Sequence, residues 1–393
     1  MKDIAKEKLT QAINYLDEYN VDLWLIYSSE GSDHAVNLLL SLKTVGRTFF
    51  LICRDGRIFC ICSVIDAQEY EDSGLFNEVL IYRDEPAQTL KELVEKLNPN
   101  RIALNFSKGD HLCDGLTAGR YRYIENCLEE YKGRFISSEP MLQLVRSIKT
   151  GEEIGAIRKA IMITQDIFKE IFSALRPGLT EYQIGELFLE AMRKRDVTSN
   201  TGKDLSMPII MKERISHRSP GQAVLKPGDF LIIDFGVDYK GYCSDISRTA
   251  YFLKEAETDA PEKFLGIFDA AYNAISAAFR AIKPGVEGWT VDHAARQYLL
   301  SRGMPEITHA TGHQIGQFTH DGGAMFAPRW DRYGDAAYGI IKAGMVLSLE
   351  PTILNPDGEY SVLCEEDILV TETGAEFLSE RQKQLILIPF RLR

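Results

Sequence analysis

Two stretches of this 393-residue chain, Leu175-Arg-Pro-Gly-Leu-Thr-Glu-Tyr-Gln-Ile184 and Ile282-Lys-Pro-Gly-Val-Glu-Gly-Trp-Thr-Val291, resemble one another, and each follows one helical stretch and opens a second. Behind each comes another match. Lys226-Pro-Gly228 stands six residues before Asp234, and Lys342-Ala-Gly344 stands six before Glu350. The repeated unit therefore reads helix, Pro-Gly turn, helix, hairpin. Two copies are too few for a solenoid, whose stability comes from stacking several units. The repeat predicts a pseudo-twofold domain closed around its own centre, with Asp234 and Glu350 converging on the axis.

The hairpins carry acids on both arms. Phe230-Leu-Ile-Ile-Asp234 is an apolar strand with one carboxylate, residues 238–241 supply turn chemistry, and the returning strand begins at Asp245-Ile-Ser-Arg-Thr. With Tyr239 and Lys240 as loop residues, Asp234 falls directly opposite Asp245, with β-carbons roughly 5 Å apart. Two ionised carboxylates closing on a buried face repel, so one holds a proton or a cation sits between them. Downstream, Met345-Val-Leu-Ser-Leu-Glu350-Pro, the turn Asn355-Pro-Asp-Gly358 and Glu365-Glu366-Asp-Ile-Leu-Val-Thr371 repeat the pattern. Only seven histidines occur, and His309, His313 and His320 cluster between the two hairpins. A neutral imidazole completes a carboxylate-rich metal site.

Asp234, Asp245-Ile-Ser-Arg-Thr, Gly312-His313-x-x-Gly316, Glu350-Pro and Glu366-Asp-x-x-x-Val-Thr371 resemble, in order and spacing, the ligand pattern of the pita-bread metallopeptidases. That family includes methionine aminopeptidase, aminopeptidase P, Xaa-Pro dipeptidase (prolidase) and the relative creatinase. The resemblance implies that Asp234, Asp245, His313, Glu350 and Glu366 bind two divalent metal ions, with Glu365 as the alternative last ligand. Oxygen-dominated ligation favours manganese, with cobalt, zinc or iron as alternatives. Ions roughly 3.5 to 4 Å apart can share a hydroxide that attacks a peptide carbonyl. The resemblance also assigns Glu350 as proton shuttle and places His217, His309 and His320 against substrate.

The expected activity is hydrolysis of the bond between an N-terminal residue and proline in short Xaa-Pro peptides. The alternatives are a creatinase-like reaction on a small non-peptide compound and a non-catalytic binding protein of the same fold. Departures from the family pattern bear on substrate rather than on metal. Asp321 replaces a usual Glu after His320, Cys364 stands where an Arg is common, Thr352 follows Glu350-Pro where Gly is usual, and Gln314 replaces a common Gly.

Before residue 146 the pattern changes. Helical spacing over residues 4–19 is followed by strands at 21–27, 48–53, 57–63, 78–82 and 101–106, with a helix over 87–97. The alternation predicts an α/β domain with a mixed sheet over residues 1–145. Its order resembles the creatinase and prolidase amino-terminal domain, which implies a homodimer and a cap that favours small substrates. The resemblance implies that residues 146–393 form an α+β pita-bread catalytic domain. A net charge of −12 offers no basic footprint for nucleic acid. Seven scattered cysteines suit a reducing compartment, and no segment has the length of a membrane span, so a cytoplasmic protein is expected.

Overall fold

The structure is a computed structural model that describes residues 2–212, 218–354 and 360–390. The chain divides into two compact units, Met1–Arg146 and Ser147–Arg393. His217 and the turn at residues 355–358 lie outside the described residues.

The first unit is a six-stranded mixed sheet in the order Glu78–Tyr82, Ile58–Ser63, Thr48–Cys53, Leu23–Ser28, Ile102–Leu104, Phe135–Ser137. Leu23–Ser28 runs antiparallel to Thr48–Cys53 and parallel to Ile102–Leu104. Its alternate side chains divide between two cores. Trp24 and Ile26 pack with the helix Lys2–Glu18, while Leu23 and Leu25 pack with the helix Ala87–Leu97. Both faces are thus covered, which is why these strands read as unbroken apolar runs. Helices His34–Leu40, Ala67–Ser73 and Ala118–Cys127 carry too short an apolar period to stand out in sequence.

In the second unit the repeat is visible in backbone geometry. Gly178 and Gly285 adopt φ of 97° and 92°, and their N–H groups donate to Leu225 and Ile341 carbonyls, each at 2.8 Å. Gly228 and Gly344 adopt φ of 95° and 87° and donate to Phe252 and Val370. Glycine alone enters this left-handed region without steric cost, so the four positions fix both copies of the turn. Helices Gly151–Ala174 and Glu181–Arg195 open on Thr150 and Thr180, each closing a capping box with the residue three further on. The first copy ends in a sheet ordered Ile386–Ile388, Ile246–Phe252, Phe230–Phe235, Ile209–Lys212. The second, after helices Glu262–Ala281 and Gly288–Ser301, ends in a sheet ordered Val346–Leu349, Glu366–Val370, Ala375–Phe377. One apolar core runs from Phe230 and Tyr251 through the Ala-rich face of Glu262–Ala281 to Leu347 and Ile368.

The first hairpin departs from the expected register. Tyr239 pairs with Tyr242, so the loop is Lys240-Gly241, both at positive φ (54° and 87°), as a type I′ turn requires. Asp234 consequently pairs with Ser247, not Asp245. Counting along the ladder, Asp245 falls across from Gly236 and diagonal to Asp234, on the same face. The two arms touch there: a β-carbon on Gly236 would lie 1.9 Å from the Ser244 carbonyl oxygen and 2.6 Å from Asn200 Nδ2. Gly236→Ala is expected to cost about 1–3 kcal/mol or more by forcing the arms apart. A lowered urea midpoint at unchanged m would show it.

Candidate metal centre

The second hairpin does what the first was expected to do. Its register pairs Leu349 with Glu366, and one step further sets Glu350 against Glu365. Neighbouring residues of a strand face opposite ways. Glu365 therefore turns toward the first hairpin's acids and Glu366 turns away. Glu365, not the expected Glu366, is the last acid of the cluster. Glu366 accepts from Arg248 Nη2 at 3.1 Å, Ser379 Oγ at 2.5 Å and the Gln382 amide at 2.9 Å. Counting back two residues from Glu365, the position where an Arg is common is Leu363, which lines the cavity described below. Cys364 sits in the hydrophobic core.

His313 is delivered by a short edge ladder. The Ser348 amide donates to the His313 carbonyl at 2.8 Å, the Glu350 amide to Thr311 at 2.7 Å, and the Ile315 amide to Val346 at 3.1 Å. Gly312 permits this approach, because a β-carbon there would lie 2.1 Å from the Ser348 oxygen. The His313 ring is oriented through Nδ1, which lies 3.2 Å from the Gln314 carbonyl. With the proton on Nδ1, the Nε2 lone pair points between Asp245 Oδ2 at 3.5 Å and Glu350 Oε1 at 3.6 Å.

Asp245, His313 and Glu365 each offer a donor atom within 4.8 Å of the others. Asp234 and Glu350 line the same cavity of about 740 Å³, together with His309 and His320. The His313 and His320 rings lie 4.3 Å apart, and His320 is exposed on the rim. His309 Nδ1 lies 2.6 Å from the Ala310 carbonyl. The lining is partly apolar, with Met207, Pro208, Ile209 and Met325.

The electrostatics follow from crowding like charges out of water. Burial first, then Asp234, Asp367 and Glu350, push the Asp245 carboxyl well above the usual carboxylate range. Burial and then Asp245, Glu350 and Asp234 do the same to Glu365. Burial and then Asp234 raise Glu350 to about 8. Burial and the neighbouring His320 lower His313 to about 3, so its imidazole is neutral. Such a set binds protons, or divalent cations in their place.

The acids are supported by neighbouring polar groups. Asn200 Nδ2 donates to Asp245 Oδ1 at 3.1 Å, which leaves Oδ2 facing His313. Ser247 Oγ donates to Glu365 Oε2 at 3.0 Å, and Asp367 Oδ2 accepts the Asp245 amide at 3.1 Å. Asn200 lies far from the acids in sequence, whereas Ser247 and Asp367 follow from strand alternation once the register is known. Asp321 closes the loop after His313: its Oδ2 takes Lys149 Nζ at 2.9 Å in a buried pair, and its amide donates to the Gln314 carbonyl at 2.9 Å.

Residues 155–372 match Metallopeptidase family M24. An uncharacterized peptidase of Staphylococcus aureus is 27% identical over 337 residues, covering 85% of this chain and 88% of that protein. An Xaa-Pro dipeptidase from Bacillus anthracis superposes with a TM-score of 0.79 at 25% identity, over 98% of this chain and all (100%) of that one. An X-Pro aminopeptidase from Thermotoga maritima has the same fold, with a TM-score of 0.77 at 23% identity over 94% and 98% of the two chains. The chain belongs to metallopeptidase family M24, with a creatinase-like amino-terminal unit and a pita-bread catalytic unit.

Proposed function

We propose that the protein is a dinuclear metallopeptidase that cleaves the bond between an N-terminal residue and proline in short peptides. The observation that carries this reading is the convergence of Asp245, His313 and Glu365 in one cavity with Asp234 and Glu350. These five residues would hold two divalent ions, and Glu365 takes the place first assigned to Glu366. The donor set suits such ions, because two buried and two half-buried carboxylates crowded beside a neutral imidazole are stable together only when their charge is compensated. Oxygen-rich ligation favours manganese over softer metals. The metals, when bound, would lower the pKa of water to near 7 and polarise the scissile carbonyl.

The chain's own groups then have separable tasks. Glu350, which lines the cavity beside Asp234 and His313, is placed to pass a proton from the attacking water to the leaving nitrogen. His309 is kept neutral mainly by burial, and with Nδ1–H spent on the Ala310 carbonyl its Nε2 is an acceptor for a substrate N–H. His320, on the rim beside His313, is placed to meet substrate. The unbonded state of all seven cysteines supports a reducing compartment. Metal-stripped protein reloaded with manganese and given Ala-Pro, Ala-Pro-Ala and creatine tests the reading. Cleavage of either peptide supports it; turnover of creatine alone, or no turnover with two ions bound, overturns it.

The raised carboxyls also predict how metal-free protein responds to pH. An unfolded glutamate ionises near 4.5, whereas folded Glu350 ionises near 8, so between these values the folded state holds the extra proton. Stability therefore falls as pH rises through this window, by roughly 1.4 kcal/mol per pH unit for one such group. Asp245 and Glu365 add in the same direction. Melting of metal-free protein from pH 6.5 to 8, above the range in which the depressed His313 and His309 act in the opposite sense, should show a falling Tm, and divalent metal should restore most of the loss at pH 8. A Tm that rises over this range contradicts the assignment.

A further inference from the structure

Among the described residues that line the cavity, Arg218 is the one Lys or Arg. It lines the cavity together with the apolar Met207, Pro208 and Ile209, in a site otherwise rich in carboxylates. The guanidinium is anchored from behind. Nη1 donates to Glu181 Oε2 at 2.8 Å and Nη2 to Glu181 Oε1 at 3.0 Å, while Nη1 also donates to the Ser219 carbonyl at 3.0 Å.

Glu181 is itself fixed. It is fully buried (0% exposed) and accepts the Lys212 amide at 3.0 Å and the Gly221 amide at 2.8 Å. Four directed contacts on one carboxylate are more than a surface ion pair needs, and they hold the arginine in one orientation. A guanidinium offers five N–H groups in a rigid plane. Glu181 takes the end-on pair and Ser219 takes the other Nη1 hydrogen. The side-on pair, Nε–H with the second Nη2–H, is taken by none of the described residues. That pair matches a carboxylate in bidentate geometry. Leu363, apolar, stands where the family pattern commonly has an arginine, and Arg218 enters the same cavity from a different segment of the chain.

We propose that Arg218 receives the free C-terminal carboxylate of the substrate through Nε and Nη2, which makes the enzyme selective for short peptides with an unblocked C-terminus. This rests on the peptidase reading above. An internal peptide segment offers no such anion, and its neutral carbonyl would leave the guanidinium's side-on pair poorly matched.

The test is steady-state kinetics of the manganese-loaded enzyme on Ala-Pro and Ala-Pro amide. Wild type should prefer the free acid by roughly 10- to 100-fold in kcat/KM. Arg218→Gln should erase that preference chiefly through KM, with amide turnover within about threefold of wild type. Arg218→Lys keeps the charge but loses the bidentate geometry, and should fall between the two. Because Arg218→Gln strands a buried Glu181, the double variant Glu181→Gln/Arg218→Gln is measured beside it and should show the same lost preference. Equal wild-type turnover of acid and amide, or equal loss on both substrates in both variants, overturns the role of Arg218 while leaving the peptidase reading intact. No turnover of Ala-Pro, its amide or Ala-Pro-Ala by wild type overturns both.

Discussion

Glu365→Gln is expected to lower kcat/KM by about 10³-fold and to remove at least one bound ion, whereas Glu366→Gln is expected to act on stability instead. The first magnitude reflects the several kcal/mol that a metal Lewis acid supplies to the transition state, at about 1.4 kcal/mol per decade of rate. Glu365 shares the cavity with Asp234, Asp245 and Glu350, and its donor atom lies within 4.8 Å of those of Asp245 and His313. Glu366 faces the other way, onto Arg248, whose side chain is 7% exposed against 1% for the acid. Removing one partner of a buried ion pair costs about 3–5 kcal/mol, because the other charge is left uncompensated. Metal analysis and urea unfolding of the two variants separate the roles. Loss of metal in Glu366→Gln with retention in Glu365→Gln would reverse the assignment.

Glu350→Gln should reduce kcat by about 10²- to 10⁴-fold, the range expected when a positioned acid-base group is lost. The amide loses the charge as the Glu365 amide does, so kcat is compared at saturating manganese. A lost proton transfer then shows as a kcat defect that saturating metal does not restore, whereas the Glu365→Gln defect follows metal occupancy. The pH-rate profile is the second readout: a limb assigned to Glu350 in wild type should vanish in the variant. Unchanged kcat in Glu350→Gln would remove it from the proton path.

Much of this architecture is legible in the sequence because the repeat leaves marks that side-chain chemistry cannot hide. The Pro-Gly turns at 177–178 and 284–285 need a left-handed glycine, and the six-residue spacing to Asp234 and Glu350 follows from the strand that each turn feeds. Register is harder to read. A period of two makes any one-residue error a reversal of faces, and that is the difference between Glu365 and Glu366. In the first hairpin the turn position decided the outcome. Lys240 accepts a positive φ, which moves the loop by one residue and exchanges Asp245 for Ser247 opposite Asp234. Asn200, Lys149 and Arg218 act through tertiary contacts between segments far apart in the chain, and no local pattern announces such contacts.

Two of the departures from the family pattern, Asp321 and Cys364, have structural roles. Asp321 braces the histidine loop against Lys149, and Cys364 fills core space. What distinguishes the cavity is its wall, with Leu363 and Arg218 as its contrasting members.

Equilibrium titration of metal-stripped protein with manganese, by calorimetry in two buffers of different ionisation enthalpy, tests the dinuclear centre most directly. The five-donor site predicts two ions per chain and net proton release at neutral pH, because Asp245, Glu350 and Glu365 must give up protons to bind metal. Binding of no ion, or uptake of two ions with no change in proton balance, would contradict it.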